Sequence, residues 1–146
     1  MRVLGLDAAS TLGWCIGPDA SAWGIWKLPE KVNNGRRLLE FSIWLNRMIL
    51  EHKPDTLIIE APLAGKSVAV TRILFGLFVI GQVLAAKHGI RFLEIYPSSL
   101  KKFFTGDGRA QKDDMIAECL RRGFEITNHN CADAFALVAY AVSVDL

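Results

Sequence analysis

The order of apolar and polar positions predicts strands at the start of the chain, followed by alternating helices and strands. Three short apolar runs near the start are separated by turn-forming residues, which is typical of an antiparallel meander. Later segments either repeat their apolar residues at helical spacing or, as in TLIIE, are apolar throughout, which is typical of a strand buried on both faces. The predicted strands are 2–6, 12–17, 22–28, 56–60 and 90–96, and the predicted helices are 35–52, 67–88, a short one from Pro97, 111–122 and 130–144.

This order, βββαβαβααα, predicts an α/β fold in which a five-stranded mixed sheet is flanked by helices. No repeat, low-complexity tract or linker interrupts the sequence, so we expect residues 1–146 to form one domain. The apolar stretch 68–86 is a candidate membrane span, but Arg72 and Gln82 interrupt it. Its longest uninterrupted run, 73–81, is far shorter than the ~20 residues that a spanning helix needs. We therefore expect a buried helix of a soluble domain, and no membrane partner.

Composition narrows the class of protein only slightly. The chain is 51% apolar and 22% charged with a net charge of +2, which is typical of a globular domain and neither requires nor excludes a polyanionic partner. Its three cysteines are widely spaced and form no C-x-x-C pair, which argues against a disulfide framework or a zinc site. The initial segment MRVLGLDAAS also lacks the pattern of a secretory signal, so we expect a cytoplasmic protein.

Three acidic residues stand in apolar surroundings. Asp7 ends the first predicted strand, Glu60 ends TLIIE, and Asp133 lies in the apolar helix segment CADAFALVAYA. An ionised carboxylate is costly to bury, so such groups are normally paired, neutralised or bound to metal. One interpretation is local: Asp7 caps a turn, Glu60 pairs with Lys66, and Asp133 caps its helix or pairs nearby.

The other interpretation is that the three carboxylates converge on one site. Carboxylates without His or Cys partners are hard oxygen ligands that suit Mg²⁺ or Mn²⁺ rather than zinc. Two such ions a few Å apart can activate a water and stabilise the leaving oxygen in phosphodiester cleavage. The residue types alone leave both interpretations open.

Four segments, in order, resemble the motifs of the RuvC-type Holliday junction resolvases, which have the RNase H-like fold. The segments are LGLDAASTLGW, LIIEAP, YPSSLKKFFTGDGRAQKDDM and NCADAFALVAYA, and together they extend across nearly the whole chain. The resemblance implies a metal-dependent, structure-selective endonuclease that resolves four-way DNA junctions by paired cleavage. It also implies a homodimer, for which the apolar helix 67–88 is a plausible interface element.

The same resemblance assigns the catalytic site. It implies that Asp7, Glu60 and Asp133 are catalytic residues that bind Mg²⁺ or Mn²⁺, with two ions in each site, and that Lys112 lies near the scissile phosphate. Many members carry a fourth acid three residues before the last Asp, where this chain has Asn130. Its carbonyl oxygen can still bind a hard cation, more weakly than a carboxylate, and the adjacent His129 is an alternative group for positioning or deprotonating a water.

A second departure concerns contacts with DNA. Bacterial members often carry an aromatic residue three positions after the Glu, and this chain has Leu63. An aliphatic side chain can still wedge between bases. The two departures indicate a divergent or phage-encoded member. Further contacts with the DNA backbone are expected from basic residues along the chain. The expected nucleic-acid-binding residues are Leu63, Lys66, Arg72, Lys101, Lys102 and Arg109.

Three other functions compete with this one. A related RNase H-like nuclease acting on other branched DNA or on RNA would share the same acids. A catalytically inactive junction-binding module is the second, and Asn130 is the reason to consider it. The pattern D-x-x-x-x-x-G from Asp7 also occurs in actin-like phosphate-binding hairpins, but those proteins need two such domains and this chain is too short.

Overall fold

The computed structural model describes residues 1–145, and its elements follow the predicted order. Where both ends of an element were predicted, the ends agree to within one residue. The strands are β1 (Val3–Asp7), β2 (Thr11–Gly17), β3 (Ala22–Lys27), β4 (Thr56–Glu60) and β5 (Arg91–Ile95). The helices are α1 (Asn34–His52), α2 (Val68–His88), α3 (Pro97–Thr105), α4 (Lys112–Arg121) and α5 (His129–Val144).

The five strands form one mixed sheet in the order β3-β2-β1-β4-β5. The first three strands pair antiparallel as a meander, whereas β4 pairs parallel to β1 and β5 pairs parallel to β4. A parallel pair needs a crossover connection, and α1 and α2 provide the two crossovers. The predicted five-stranded mixed sheet with flanking helices is confirmed.

Alternate residues of the central strands serve two separate cores. Val3 and Ile58 point to one face, where they pack among apolar residues of α3, α4 and α5. Leu4, Leu6 and Leu57 point to the opposite face, where they pack against α1 and α2. Because β1 and β4 are buried on both faces, their sequences are almost continuously apolar.

Two glycines allow α5 to lie directly on β1 and β2. A Cβ atom at Gly5 would stand 2.6 Å from the carbonyl oxygen of Ala134, and one at Gly13 would overlap the carbonyl of Asn130. A side chain at either position would therefore push the helix away from the sheet. The close contact at Gly13 places the first turn of α5 beside the end of β1, because Gly13 pairs with Asp7.

The helices that follow β3, β4 and β5 begin at one edge of the sheet. These three strands all run parallel to β1, so their carboxyl ends lie together there, and α1, α2 and α3 start from that edge. The first turn of α5 also lies there, beside Gly13. Side chains of Asn33, Ser67 and Asn128 cap α1, α2 and α5 by accepting backbone N–H bonds. Four helix N-termini, each carrying partial positive charge, thus surround the end of β1.

The prediction of a helix over residues 68–86 is confirmed, but the prediction that this helix is buried was wrong, because most of its surface is exposed. By length and composition, α2 is the one helix within residues 1–145 that could cross a membrane, but one side of it packs on α1, β4 and β5. A single stripe of the helix is buried, and its outer side exposes Phe75, Val79 and Val83. Hydropathy could not distinguish the two sides because both are apolar. The buried stripe consists of Ile73, Leu77, Gly81, Leu84 and Ala85.

Candidate active site

Asp7 and Glu60 stand at the ends of neighbouring parallel strands. The register pairs Leu6 with Ile59, so the next residue on each strand is one of the two acids. The alternation of side chains directs both acids to the face that carries Val3 and Ile58, which is the face covered by α5. Asp7 is buried and Glu60 is half-buried.

Asp133 reaches the same edge from α5. It lies one turn after Asn130, whose backbone carbonyl contacts Gly13 beside the end of β1. Asp133 does not cap its helix, because the cap of α5 is the side chain of Asn128. The structure therefore brings together all three acids that stood out in the sequence, and the local interpretation of Asp133 is wrong.

Burial raises the pKa of all three carboxyl groups, and two of the groups also feel the charge of a neighbouring acid. Burial, followed by the charges of Asp133 and Glu60, raises the pKa of Asp7 well above its ordinary value. Burial and the charge of Asp133 raise the pKa of Glu60 to about 7. Burial also raises the pKa of Asp133 to about 6. Negative charge on clustered carboxylates is normally compensated by cations. Groups with shifted pKa values that lie together often mark functional sites.

Direct ion pairing does not compensate these acids. Within residues 1–145, none of the three forms an ion pair within 4.0 Å, which also removes the alternative pairing of Glu60 with Lys66. Over the same residues, no group of three His, Cys, Asp or Glu side chains is arranged as a ready-made metal site. The donor set thus has the chemistry that a hard divalent cation requires, but a cation would have to draw the side chains closer together.

Two lysines lie near enough to act electrostatically on the acids. The charge of Lys112, the first residue of α4, lowers the pKa of Asp7 and Asp133 against the effect of burial. The charge of Lys101 on α3 does the same for Glu60 and Asp133. The sequence interpretation had placed Lys101 only among DNA-backbone contacts. Its position one turn after Pro97, in a helix that begins at the edge where the strands end, is the signal that would have placed it at the site.

The remaining predicted residues lie around this centre. Asn130 and His129 are both half-buried in the first turn of α5. Leu63 is 54% exposed at a cavity that Glu60 also lines. The other predicted DNA contacts are exposed and are not among the groups that shift the pKa values of the three acids. These residues are Lys66 and Arg72 at the start of α2, Lys102 on α3, and Arg109 in the loop before α4.

Comparison with known proteins identifies the family. No protein-family model matches the chain. The crossover junction endodeoxyribonuclease RuvC of Rickettsia bellii (strain OSU 85-389) is 33% identical over 156 aligned positions, which cover 99% of this chain and 98% of the relative. The Rickettsia massiliae protein of the same name is 32% identical with the same coverage.

Solved structures agree on the fold at low sequence identity. Thermus thermophilus RuvC has a TM-score of 0.78 at 18% identity, and the match covers 97% of this chain and 93% of that one. The same protein in complex with a Holliday junction substrate has a TM-score of 0.81 at 17% identity, with the same coverage. The yeast mitochondrial Holliday junction resolvase Ydc2 has a TM-score of 0.66 at 16% identity, with 94% and 76% covered.

The fold is thus that of the RNase H-like nucleases, as the resemblance implied. The sequence identity to the two Rickettsia proteins extends over the full length, and it identifies the family more specifically than the fold does. The chain belongs to the RuvC family of crossover junction endodeoxyribonucleases.

The shifted pKa of Glu60 predicts how stability depends on pH in metal-free protein. The folded state retains a proton that the unfolded chain releases, so stability falls as the pH rises from about 4.5 to about 7. Glu60→Gln removes this penalty and is expected to stabilise the protein by about 1–3 kcal/mol at pH ~8, with little effect near pH ~4. Thermal or urea unfolding in EDTA measures the difference.

Glu51, exposed on α1, provides the matched control. Glu51→Gln should leave the difference in stability between low and high pH unchanged. If the stability of Glu60→Gln varies with pH in parallel with the wild type, the burial and charge coupling inferred for Glu60 are wrong.

Proposed function

We propose that the protein is a metal-dependent, structure-selective endonuclease that resolves four-way (Holliday) DNA junctions by paired phosphodiester cleavage. The observation that carries this proposal is the convergence of three carboxyl groups with raised pKa values at one edge of the sheet. Full-length similarity to crossover junction endodeoxyribonucleases, and the fold shared with RuvC bound to a Holliday junction substrate, support the choice of substrate. Residues 1–146 would act as one nuclease domain in the cytoplasm.

Asp7, Glu60 and Asp133 would hold Mg²⁺ or Mn²⁺, with two ions in each site. Three oxygen donors without an ion-pair partner fit such ions chemically, and the amide carbonyl of Asn130 would be a weaker fourth donor. When bound, the ions would supply an activated water and stabilise the leaving oxygen. Asp7 is buried away from bulk water, in surroundings of low dielectric where charge interactions are stronger than in solvent.

The chain's own cations would position the DNA strand. Lys101 and Lys112 both act electrostatically on the acids, so their charges can hold the scissile phosphate and offset negative charge that develops on it. The N-termini of four helices add partial positive charge around the same edge. Lys66, Arg72, Lys102 and Arg109 would contact phosphates farther along the DNA arms, which makes binding depend on salt.

Asp7→Asn tests the proposed activity. We expect it to reduce cleavage of a synthetic four-way junction in Mg²⁺ by about 10³-fold or more, because the most buried metal ligand is lost, while junction binding changes only a few-fold. Gel assays of cleavage and of binding measure the two quantities. Asp19→Asn, in the exposed turn after β2, is the control and should cleave normally.

The outcome also separates the competing functions. Cleavage that favours forks, flaps or RNA over four-way junctions would support the related RNase H-like nuclease. Junction binding by the wild-type protein, without cleavage of any branched substrate in Mg²⁺ or Mn²⁺, would overturn the proposal. That result would favour the inactive binding module that Asn130 makes conceivable.

Lys101 and its neighbour provide an internal comparison. Lys101 is half-buried and acts electrostatically on two of the acids, whereas Lys102 is exposed. We expect Lys101→Met to reduce kcat for junction cleavage by about 10²-fold, because a charge close to the reacting phosphate is lost. Lys102→Met should mainly weaken binding and reduce its salt dependence. Equal effects of the two substitutions on kcat would refute a specific role for Lys101.

We also propose that the protein is a homodimer whose interface is the outer face of α1 and α2. This face exposes large apolar side chains of both helices, in a layer that covers one side of the sheet. A continuous apolar surface of this kind normally marks an interface, and two symmetric cuts in a four-way junction require two sites related by symmetry. The exposed residues are Leu39, Ile43, Leu50, Phe75, Val79 and Val83.

A charge in this face should separate the protomers. Val79 is 50% exposed in the middle of α2, so Val79→Asp changes little inside the fold but buries an unpaired carboxylate in a dimer. We expect a monomer by sedimentation or light scattering, with loss of paired cuts in one junction. Val142→Asp places the same charge on the exposed side of α5 and should leave the mass unchanged. A dimeric Val79→Asp protein would show that the interface lies elsewhere.

A further inference from the structure

The short helix α3, which carries Lys101, is held at its end by a side chain from another helix. It has only nine residues, and its N-cap residue Tyr96 makes no side-chain capping bond. Helices this short are marginal on their own, so α3 depends on its neighbours. The last carbonyl groups of a helix also lack partners within it. Arg122, the C-cap residue of α4, supplies one such partner, because its Nη2 donates to the carbonyl oxygen of Phe104 at 3.2 Å.

The same guanidinium group also covers the ring of Phe104. The Cζ atom of Arg122 lies 4.4 Å from the ring centroid, which is the geometry of a cation–π contact. The ring is buried and packs edge-on against Phe135 of α5, with 5.8 Å between the two ring centroids. Phe104 is thus fixed between α4 and α5. Lys101 lies three residues before it, and residues at this spacing are neighbours on a helix surface.

A carboxylate sets the direction of the Arg122 side chain. Glu118, one turn earlier on α4, accepts a hydrogen bond from Nε of Arg122 at 2.8 Å. Hydrogen bonds from Arg121 and then Arg122, against the effect of burial, lower the pKa of Glu118 to about 2, so these bonds are charge-assisted. With Nε held by Glu118, the planar guanidinium directs Nη2 to the end of α3 and one face to the ring.

Arg121 provides a contrast within the same cluster. It also binds Glu118, with its Nε 2.8 Å from Oε1, and its hydrogen bonds within residues 1–145 go only to that carboxylate. Its side chain is 71% exposed, against 30% for Arg122. The start of α4 is fixed separately, because Asp114 accepts the backbone N–H of Gln111 at 2.8 Å. Loss of Arg122 would therefore loosen α3 rather than the start of α4.

We propose that Arg122 is a positioning residue for DNA cleavage, which holds the end of α3 so that Lys101 stays beside the acids and meets the scissile phosphate. The proposal rests on the nuclease function proposed above. Arg122 stands ten residues after Lys112, or about 15 Å along the helix axis, and is not among the charges that act on the three acids. It therefore acts on the reaction through the placement of Lys101, and small displacements of a group at a reacting centre are costly.

Arg122→Met tests the positioning role. Methionine can still pack on the ring of Phe104, but it loses the bonds to Glu118 and to the end of α3. We expect kcat for junction cleavage to fall by about 5- to 10-fold, with the dissociation constant of the junction changed less than about twofold. Arg121→Met removes the same charge from the adjacent residue and is the matched control, with kcat unchanged. Equal losses of kcat in the two variants would overturn the proposal.

A double-mutant cycle shows whether Arg122 acts through Lys101. In a Lys101→Met background, Arg122→Met should lower the single-turnover cleavage rate by less than about twofold, because the charge that it positions is already absent. A general loss of structure would instead lower the rate by the same factor in both backgrounds. That additive result would show that Arg122 does not position Lys101.

Arg122→Lys separates the charge from the geometry and is the safer variant for folding. It keeps the positive charge and the aliphatic stem, but not the planar, forked set of donors. We expect a folded protein that binds the junction normally, with kcat lowered by about 5-fold. A normal kcat would show that charge alone suffices and would refute the positioning role.

These outcomes remain separate from those of the parent proposal. A wild-type protein that cleaves no branched substrate refutes the nuclease function. A wild-type protein that cleaves junctions, together with an additive cycle for Arg122 and Lys101, refutes only the positioning role.

Discussion

The convergence of three buried or half-buried carboxyl groups at one edge of the sheet is the constraint around which this structure is organised. Burial raises the pKa of all three acids, the charges of Asp133 and Glu60 add to the shift at Asp7, and the charge of Asp133 adds to the shift at Glu60, so the metal-free fold carries a local energetic cost. Glycines in β1 and β2 maintain the arrangement by allowing α5 to approach the sheet closely. The close packing of α5 on the sheet stabilises the fold, but it also brings the acids together. Such a conflict is expected where function opposes stability.

Under the proposed function, the site would hold a mobile metal cation rather than a fixed lysine. A lysine in direct contact with the acids would relieve their repulsion permanently and occupy the position that a metal requires. Lys101 and Lys112 instead act on the acids without an ion pair within 4.0 Å, so they moderate the charge without neutralising it. The proposed nuclease chemistry depends on this balance between repulsion and partial compensation.

Sequence patterns alone predicted the fold and singled out the three acids. The meander, the helix periods and the capping Gly89 are local signals, and Asp7, Glu60 and Asp133 stood out because each interrupts an apolar run. The position of Lys101 near the acids was missed because it depends on the packing of α3 beside β4. The sequence left a buried helix and an interface element both open for α2, because an apolar residue has the same hydropathy in a core and on an exposed surface.

Four helices begin at one edge of the sheet, so the partial positive charges of their N-termini all lie at that edge. The protein's net charge of +2 is too small to attract a polyanion strongly from all sides. The helix N-termini add partial positive charge at the edge that holds the acids, and this charge offsets part of the acids' negative charge over about one helical turn. The helix N-termini would therefore reduce the repulsion between the acids and a DNA strand that comes within a few Å of this edge.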